Sequence, residues 1–175
     1  MRYIFQSQRL GFRNFQKSDS STLFHHHSEK EHRHWFPNEN YSSMEEAFGA
    51  IRLFRKNVRR QTLPYVLAIE SLETREVIGD IGINEVWDKN DDIEIGYSIC
   101  EKHRGHGYAT EAVIAMSAFV ASKFRVKTLF SRVLKGNGTS CRVLEKSGFN
   151  YQGIETGAPD DPHGSGMLVY KIHME

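Results

Sequence analysis

The chain has 175 residues, of which 39% are hydrophobic and 26% charged, a composition typical of one globular domain with a single core. Its 23 Lys and Arg residues nearly balance its 22 Asp and Glu residues, so no overall basic field exists to recruit nucleic acid, and we expect no such partner. No apolar run approaches the ~20 residues that span a bilayer, and the first residues are too polar for a signal peptide. With only Cys100 and Cys141, no disulfide framework is indicated. We therefore expect a single domain over residues 1–175, no membrane partner and a reducing, cytoplasmic location.

The first sixty residues are predicted to form one strand followed by helices. Partial alternation of apolar and polar residues over positions 9–15 predicts a strand with one solvent-exposed face. Ser18 or Asp19 is expected to cap the next helix, because a side-chain oxygen there can accept a free first-turn amide. Residues 42–46 match a capping box and are predicted to begin a further helix. The apolar face of that helix would carry Ala47, Ile51, Phe54 and Val58.

The middle of the chain is predicted to be rich in β-structure. Three strands are expected, over residues 64–69, 77–86 and 93–99. Short turns at residues 73–75 and 88–92 separate them, which favours an antiparallel meander.

In the last third of the chain, helices and strands alternate. A long helix is predicted over residues 108–123, a strand over 127–134, and a short helix over 140–147 that ends at Gly148. Further strands are expected from Phe149 and over residues 167–172. This alternation implies at least one parallel crossover. The sequence thus predicts a mixed α+β domain with a twisted mixed sheet of six or seven strands and about four helices.

The most distinctive segment lies between the third meander strand and the long helix. Gly105 and Gly107 allow a tight turn and a close approach to a ligand. The free amides and the positive dipole end of the following helix suit an anion such as a pyrophosphate. Taken alone, a glycine turn that merely starts a helix explains the pattern equally well. The segment lacks the Gly-Lys-Ser/Thr of a Walker loop and the third glycine of a dinucleotide fingerprint, so neither of these sites is favoured.

The string Arg104-Gly105-His106-Gly107-Tyr108-Ala109 resembles the acyl-CoA-binding motif of the GNAT (GCN5-related) N-acetyltransferase family, Arg/Gln-x-x-Gly-x-Gly/Ala. The surrounding segments 94–97 and 110–112 resemble the RimJ/RimL-like branch of that family, as do residues 137–149 and the opening residues 9–13. The resemblance therefore covers nearly the whole chain.

The resemblance implies a sheet that splays after the third meander strand to hold acetyl-CoA, the acyl donor. The pantetheine arm would bond the strand edge near Ser98 and Ile99, and the pyrophosphate would sit on the loop amides. Asn137 would hydrogen-bond the pantetheine arm, cap the short helix, or do both. The expected cofactor-binding residues are Ser98, Ile99, Arg104, Gly105, His106, Gly107, Tyr108, Ala109, Thr110 and Asn137.

Two residues are candidates for catalysis. Glu94 lies on the strand that leads into the loop, so it is the candidate base for the amine, acting directly or through water. It could equally be a solvated or ion-paired strand carboxylate. Family members commonly carry a tyrosine acid seven residues after the asparagine, but here that position is Leu144. Ser140 is expected to take the acid role, as in the RimL-like branch, or else to be an ordinary helix-surface serine.

The histidines between positions 25 and 34 are not expected to bind a metal. Consecutive histidines on a helix point in different directions, and no cysteine or acidic partner has ligand spacing nearby. The segment 25–37 is instead expected to shape the acceptor pocket, with His27, Trp35 and Phe36 as acceptor contacts.

The resemblance implies an enzyme that transfers an acetyl group to a primary amine by direct attack in a ternary complex. The acceptor is left open between a protein N-terminal α-amine and a small-molecule amine. Whether the chain forms a homodimer is also left open. The alternative is a protein that is not an enzyme, a catalytically silent acyl-CoA-binding module used for sensing or assembly.

Overall fold

The structure, a computed structural model, describes residues 3–86 and 93–174. The strands in these ranges are β1 (Phe5–Gln6), β2 (Leu10–Arg13), β3 (Tyr65–Ser71), β4 (Val77–Glu85), β5 (Ile93–Ile99), β6 (Thr128–Leu134), β7 (Asn150–Glu155) and β8 (Met167–His173). The α-helices are α1 (Ser20–Ser28), α2 (Lys30–Trp35), α3 (Met44–Arg60), α4 (Tyr108–Phe124) and α5 (Gly138–Lys146). Short 3-10 turns occupy Lys17–Asp19 and Glu101–His103.

All eight strands belong to one sheet, in the order β1-β2-β3-β4-β5-β6-β8-β7. Neighbouring strands are antiparallel except β5 and β6, which run parallel and are joined by the crossover helix α4. The predicted meander of β3, β4 and β5 and the predicted crossover are both confirmed. The sheet exceeds the expected six or seven strands because β1, two residues long, pairs with β2. The last strand in the chain, β8, lies between β6 and β7, so β7 forms the edge.

The sheet lies between two layers of helices. On one face, α4 buries Val113, Met116 and Val120 fully in the main hydrophobic core. On the other face, Leu23 of α1 and Ile51 of α3 pack with Ala68 of β3. Because side chains alternate along a strand, Ala68 points away from its neighbours in the main core, and β3 therefore serves both layers.

Of the two helix N-caps predicted in the first sixty residues, one is confirmed and one is not. Ser43 caps α3 as predicted, since its Oγ accepts from the amide of Glu46 at 3.2 Å. Asp19 precedes α1 but makes no side-chain cap, which corrects the expectation from sequence. Its carboxylate instead accepts from the buried guanidinium of Arg13 at 2.7 Å and from the amide of Gln16 at 2.7 Å. A buried guanidinium without a carboxylate partner costs more free energy than the loss of one exposed N-cap hydrogen bond, so Asp19 pairs with Arg13.

The parallel strands β5 and β6 separate soon after they meet. Among the described residues, backbone pairing between them is limited to Ile93 with Leu129 and Glu94 with Phe130. The Oγ of Ser131 then donates to the carbonyl of Ile95 at 3.1 Å, and beyond this bond the strands diverge. The splay that the resemblance implied is therefore present. The turn predicted at residues 88–92 lies outside the described residues.

None of the helices in the described ranges combines the length and apolarity that crossing a bilayer requires.

Candidate active site

A cleft of about 320 Å³ opens where β5 and β6 diverge. Its floor is the end of β5, one wall is the loop before α4, and the opposite wall is the start of α5. The residues predicted from sequence that line it are Trp35, Phe36, Ser98, Ile99, Arg104, Gly105, Gly107, Tyr108, Ala109, Thr110, Asn137 and Ser140. The fold thus brings most of the predicted cofactor residues, which span forty positions in sequence, to one cleft.

The loop before α4 has the backbone that an anion site needs. Gly105 and Gly107 have φ of 79° and 78°, in the left-handed region that favours glycine. Gly107 is the N-cap of α4, so the free first-turn amides of the helix face the cleft beside it. His106 is exposed and its side chain does not line the cleft, so the loop would meet a ligand through its backbone.

Two arginines hold this loop in place. The Nε of Arg104 donates to the carbonyl of Ile99 at 2.8 Å, and its Nη2 donates to Glu29 at 3.0 Å. The Nη1 of Arg9 donates to the carbonyl of His106 at 3.0 Å. The side chain of Arg104 is therefore engaged within the protein, where it fixes the loop against β5 and α1.

The free edge of β5 presents backbone groups to the cleft. The amide of Cys100 donates to Ile78 in β4, whereas the carbonyl of Ile95 faces β6. Because these directions alternate along a strand, the backbone amides of Tyr97 and Ile99 point into the cleft. Of the two residues expected at this edge, Ile99 offers its amide to the cleft, together with Tyr97. The backbone groups of Ser98 point to β4, and its Oγ contacts His26 and Asp80, which corrects the expectation for Ser98.

The start of α5 forms the opposite wall. The Oδ1 of Asn137 accepts from the amide of Ser140 at 3.1 Å, so Asn137 does cap this helix. Leu144, at the position where the family commonly has a tyrosine, is fully buried and cannot supply a proton. The hydroxyl of Tyr97 instead reaches across the splay and donates to the carbonyl of Ser140 at 3.3 Å.

A second cleft of about 330 Å³ lies on the β6 side of the same opening and contains Glu94. Its charged lining residues are Glu39, Glu94, Arg132 and Asp160. The two clefts share the residues Trp35, Phe36, Tyr97, Asn137 and Ser140. Ser140 therefore lies at the junction, with the loop on one side and Glu94 on the other.

Glu94 is firmly ion-paired. Its carboxylate accepts from the Nε of Arg132 at 3.0 Å, from the Nη2 at 2.8 Å and from the backbone amide of the same residue at 3.1 Å. The Nη2 of Arg132 also donates to Asp160 at 2.6 Å. These partners raise the pKa of Arg132 despite the opposing effect of its burial. Of about four lone-pair sites on a carboxylate, Arg132 occupies three and leaves roughly one for a ligand or water.

His27 is not part of either cleft lining. It is 4% exposed and lies between two acceptors, the carbonyl of Glu39 at 2.7 Å from Nδ1 and Asp80 Oδ2 at 2.9 Å from Nε2. Burial lowers the pKa of His27, but the charge of Asp80 and its hydrogen bond outweigh burial and raise it. The structure thus separates His27 from Trp35 and Phe36, which line both clefts.

Two residues with evident roles in these clefts were missed from sequence. Tyr97 bridges β5 and α5, and Arg132 organises the carboxylates of the second cleft. Neither has a local sequence signal, since an isolated Tyr or Arg on a strand is ordinary. The alternation of buried and less buried residues along β6 is one signal that could have indicated Arg132, because this charged residue lies between two buried positions.

The comparisons with known proteins agree with this geometry. The family model for the acetyltransferase (GNAT) domain matches residues 9–150. The chain belongs to this family and is an N-acetyltransferase.

Known relatives match over almost the full length of the chain. The uncharacterized N-acetyltransferase YoaA of Bacillus subtilis (strain 168) is 28% identical over 175 residues, which cover 97% of this chain and 96% of YoaA. An acetyltransferase (GNAT family) from Bacillus anthracis has a TM-score of 0.81 at 19% identity, with 96% of each chain covered. RimL, a ribosomal L7/L12 alpha-N-protein acetyltransferase in complex with coenzyme A, has a TM-score of 0.79 at 17% identity, with 99% of this chain and 98% of RimL covered. These structural likenesses establish the shared fold.

Proposed function

We propose that the protein transfers the acetyl group of acetyl-CoA to a primary amine by direct attack in a ternary complex. The observation that carries the proposal is the meeting of two clefts at the splay between β5 and β6, with Ser140 at their junction. One cleft ends at an anion-binding loop and the other at a group of carboxylates. A donor and an acceptor could thus approach each other from opposite sides, as a ternary complex requires.

The residues of the first cleft fit acetyl-CoA. The backbone of Gly105 to Ala109 offers amides to a pyrophosphate, and the edge amides of Tyr97 and Ile99 suit the amide groups of a pantetheine arm. Asn137 adds a buried side chain beside that edge. Acetyl-CoA would supply an activated acyl group as a thioester. The fold of RimL, which was crystallised with coenzyme A, supports this choice by analogy.

The second cleft suits a cationic amine. Burial raises the pKa of Glu39 to about 7, but the carboxylates of Glu94 and Asp160 already outnumber the one guanidinium, that of Arg132. The lining therefore carries a net negative charge. An ammonium group would be attracted there, and it must then lose a proton before it can attack. Trp35 and Phe36 add an apolar wall shared with the donor cleft, which would exclude water from the junction.

We assign proton removal to Glu94 and proton return to Ser140. Because Arg132 holds most of the Glu94 lone pairs, Glu94 would accept the proton through an ordered water, and not by direct contact. Ser140 lies where a leaving thiolate would need a proton. The hydrogen bond from Tyr97 to the Ser140 carbonyl makes Tyr97 a positioning residue for this end of α5.

To test this proposal, the protein is incubated with acetyl-CoA and a panel of acceptors. The panel contains peptides with a free N-terminus, the same peptides with a blocked N-terminus, diamines and amino acids. Thiol release and a mass increase of the acceptor by one acetyl group are expected with at least one free amine and none of the blocked peptides. Acetyl-CoA binding without release on any amine would instead support the silent binding module. Acetylation of peptides but not diamines would favour a protein N-terminus as the acceptor.

A further inference from the structure

Three buried histidines converge beside the first cleft, and one of them, His32, is among the residues that line it. His26 and His27 lie on α1 and His32 on α2, and they are 3%, 4% and 2% exposed. One ring nitrogen of each lies within 4.8 Å of those of the other two. The extended backbone of Glu29 (φ −58°, ψ 140°) breaks the helix between them and turns His32 back toward α1. Linear spacing predicted no metal site, whereas the fold brings these three ring nitrogens together.

The ring of His32 packs against the rings of His27 and Phe36, but its two nitrogens gain nothing from this burial. Within the described part of the chain, neither its Nδ1 nor its Nε2 has a hydrogen-bond partner, although both atoms are shielded from solvent. A neutral imidazole always carries one N–H donor and one acceptor, so both groups lose water without compensation. The unshared electron pair of one of these ring nitrogens is what a metal ion would bind.

The other two histidines are oriented as metal ligands commonly are. The Nδ1 of His27 lies 2.7 Å from the carbonyl of Glu39, and the Nδ1 of His26 lies 3.1 Å from a carboxylate oxygen of Glu29. Metal-binding imidazoles usually donate their second N–H to such a carbonyl or carboxylate. The Nε2 of His27 lies 2.9 Å from Oδ2 of Asp80. The Nε2 of His26 lies 2.7 Å from the Oγ of Ser98 and 3.9 Å from the same carboxylate oxygen, so a bound metal would take the place of the Ser98 contact.

We propose that His26, His27 and His32 form a binding site for a divalent transition metal of the Zn²⁺ type, with Asp80 available as a fourth ligand. Three imidazoles and one carboxylate are a donor set that zinc accepts in tetrahedral geometry. On binding, His27 would give up its Nε2 proton, which it shares with Asp80 in the metal-free protein, and the proton would leave to solvent.

An overlapping set, His26 with Glu29 and Cys100, is the weaker choice. Glu29 is already bonded to Arg104 and to the amide of Glu101.

The metal would join three elements that border the active site. His26 and His27 belong to α1, His32 to α2 and Asp80 to β4. Trp35, the last residue of α2, lines both clefts. Metal occupancy would therefore fix the wall that the donor and acceptor share.

The test uses the untagged full chain, because a polyhistidine tag would itself bind metal. After treatment with a chelator, the protein is titrated with Zn²⁺ by calorimetry, and its metal content is measured. One zinc per chain and a higher melting temperature with zinc are expected. His32→Ala should weaken zinc affinity by at least about tenfold, since even loss of an outer-shell partner costs 10–100-fold. His25→Ala and His34→Ala, exposed histidines on the same two helices, should bind zinc as the wild type does.

A wild-type chain that takes up no zinc, or a His32→Ala chain that binds it normally, would overturn the proposal. If His32→Ala does not fold, Asp80→Asn and the visible absorption of bound Co²⁺, which reports tetrahedral coordination, give the same decision. Acetyl transfer is measured separately on zinc-free protein. Activity without any zinc binding refutes only the metal site, whereas zinc binding without acetyl transfer refutes only the proposed function.

Discussion

The ion pair of Glu94 with Arg132 makes the role of Glu94 testable by a single-atom change. Glu94→Gln keeps the shape and removes the charge, so we expect turnover to fall by about 10²–10⁴, the usual value of general-base assistance. Acetyl-CoA affinity should not change, because Glu94 lines only the acceptor cleft. Raising the pH should partly restore turnover, since free amine becomes available as the pH approaches the reference pKa of ~8 for an α-amine or ~10 for a lysine-like one.

Asp160→Asn is the matched control for this prediction. Asp160 bonds the same guanidinium at 2.6 Å and lines the same cleft, so the substitution removes the same charge from a carboxylate without the proposed proton role. Turnover should fall clearly less than in Glu94→Gln. Equal losses in both variants would mean that Glu94 acts only through the charge of the cleft.

Ser140 permits a second test at the scale of one side chain. Ser140→Ala should lower turnover and leave acetyl-CoA affinity nearly unchanged, because only the proposed proton donor is lost. Thr139→Ala removes a neighbouring hydroxyl that lines the donor cleft but not the junction, so its turnover should stay normal. An unaltered rate in Ser140→Ala, measured by thiol release, would assign the proton to water.

At the scale of elements, close contact between β4 and β5 fixes the floor of the cleft. A Cβ added at Gly79 of β4 would lie 2.1 Å from the backbone carbonyl oxygen of Ser98, a contact that only a backbone shift can relieve. Gly79→Ala should therefore destabilise the fold by about 1–3 kcal/mol, the usual cost of overpacking, and weaken acetyl-CoA binding.

Gly96→Ala on the paired strand is the control, because an added Cβ there meets nothing within 4 Å. Chemical denaturation should show a clear loss of stability in Gly79→Ala. In Gly96→Ala it should show a gain of about 0.5–1 kcal/mol, because Gly inside a strand is less stable than Ala by that amount. Equal effects would show that the contact with Ser98 does not limit the sheet.

The loop before α4 makes the cofactor assignment testable. Gly107 has φ of 78°, so Gly107→Val strains the backbone and intrudes on the first amides of the helix, and acetyl-CoA binding should be lost. His106→Ala changes a side chain outside the cleft and should bind normally. Calorimetry measures both variants after their folding is checked by circular dichroism. Unchanged affinity in folded Gly107→Val would contradict the assignment.

At the scale of the whole molecule, binding should couple the two halves of the sheet. The cleft separates β1 to β5 from β6 to β8. In the part of the chain that the structure describes, these two groups of strands bond directly at Ile93 with Leu129, at Glu94 with Phe130 and near Ile95. A ligand that bonds both sides should therefore stabilise the fold. At a hundredfold excess over the dissociation constant, acetyl-CoA should add about 2.7 kcal/mol to the free energy of unfolding. Thermal unfolding with and without acetyl-CoA measures this gain, and Gly107→Val should show none.

Much of the architecture follows from the sequence alone, because it depends on local patterns. Alternation and periodicity predicted β3 to β6 and α4 to within about two residues, and the glycines at 105 and 107 marked the loop. The motif resemblance predicted the family, which the comparisons confirm. The strand β1 was missed because two residues carry too little pattern. Asp19 was misjudged because its partner Arg13, six residues earlier, is buried by the fold and takes its carboxylate.

What the tertiary structure decided is which polar groups share a site. Nothing local to Glu94 indicates that Arg132 occupies most of its lone pairs, and nothing local to His27 indicates that Asp80 holds it away from the clefts. The convergence of His26, His27 and His32 likewise depends on the break at Glu29. The physical reason is that backbone preferences and hydrophobic periodicity act between near neighbours, whereas charge pairing and burial depend on distances that only the completed fold fixes.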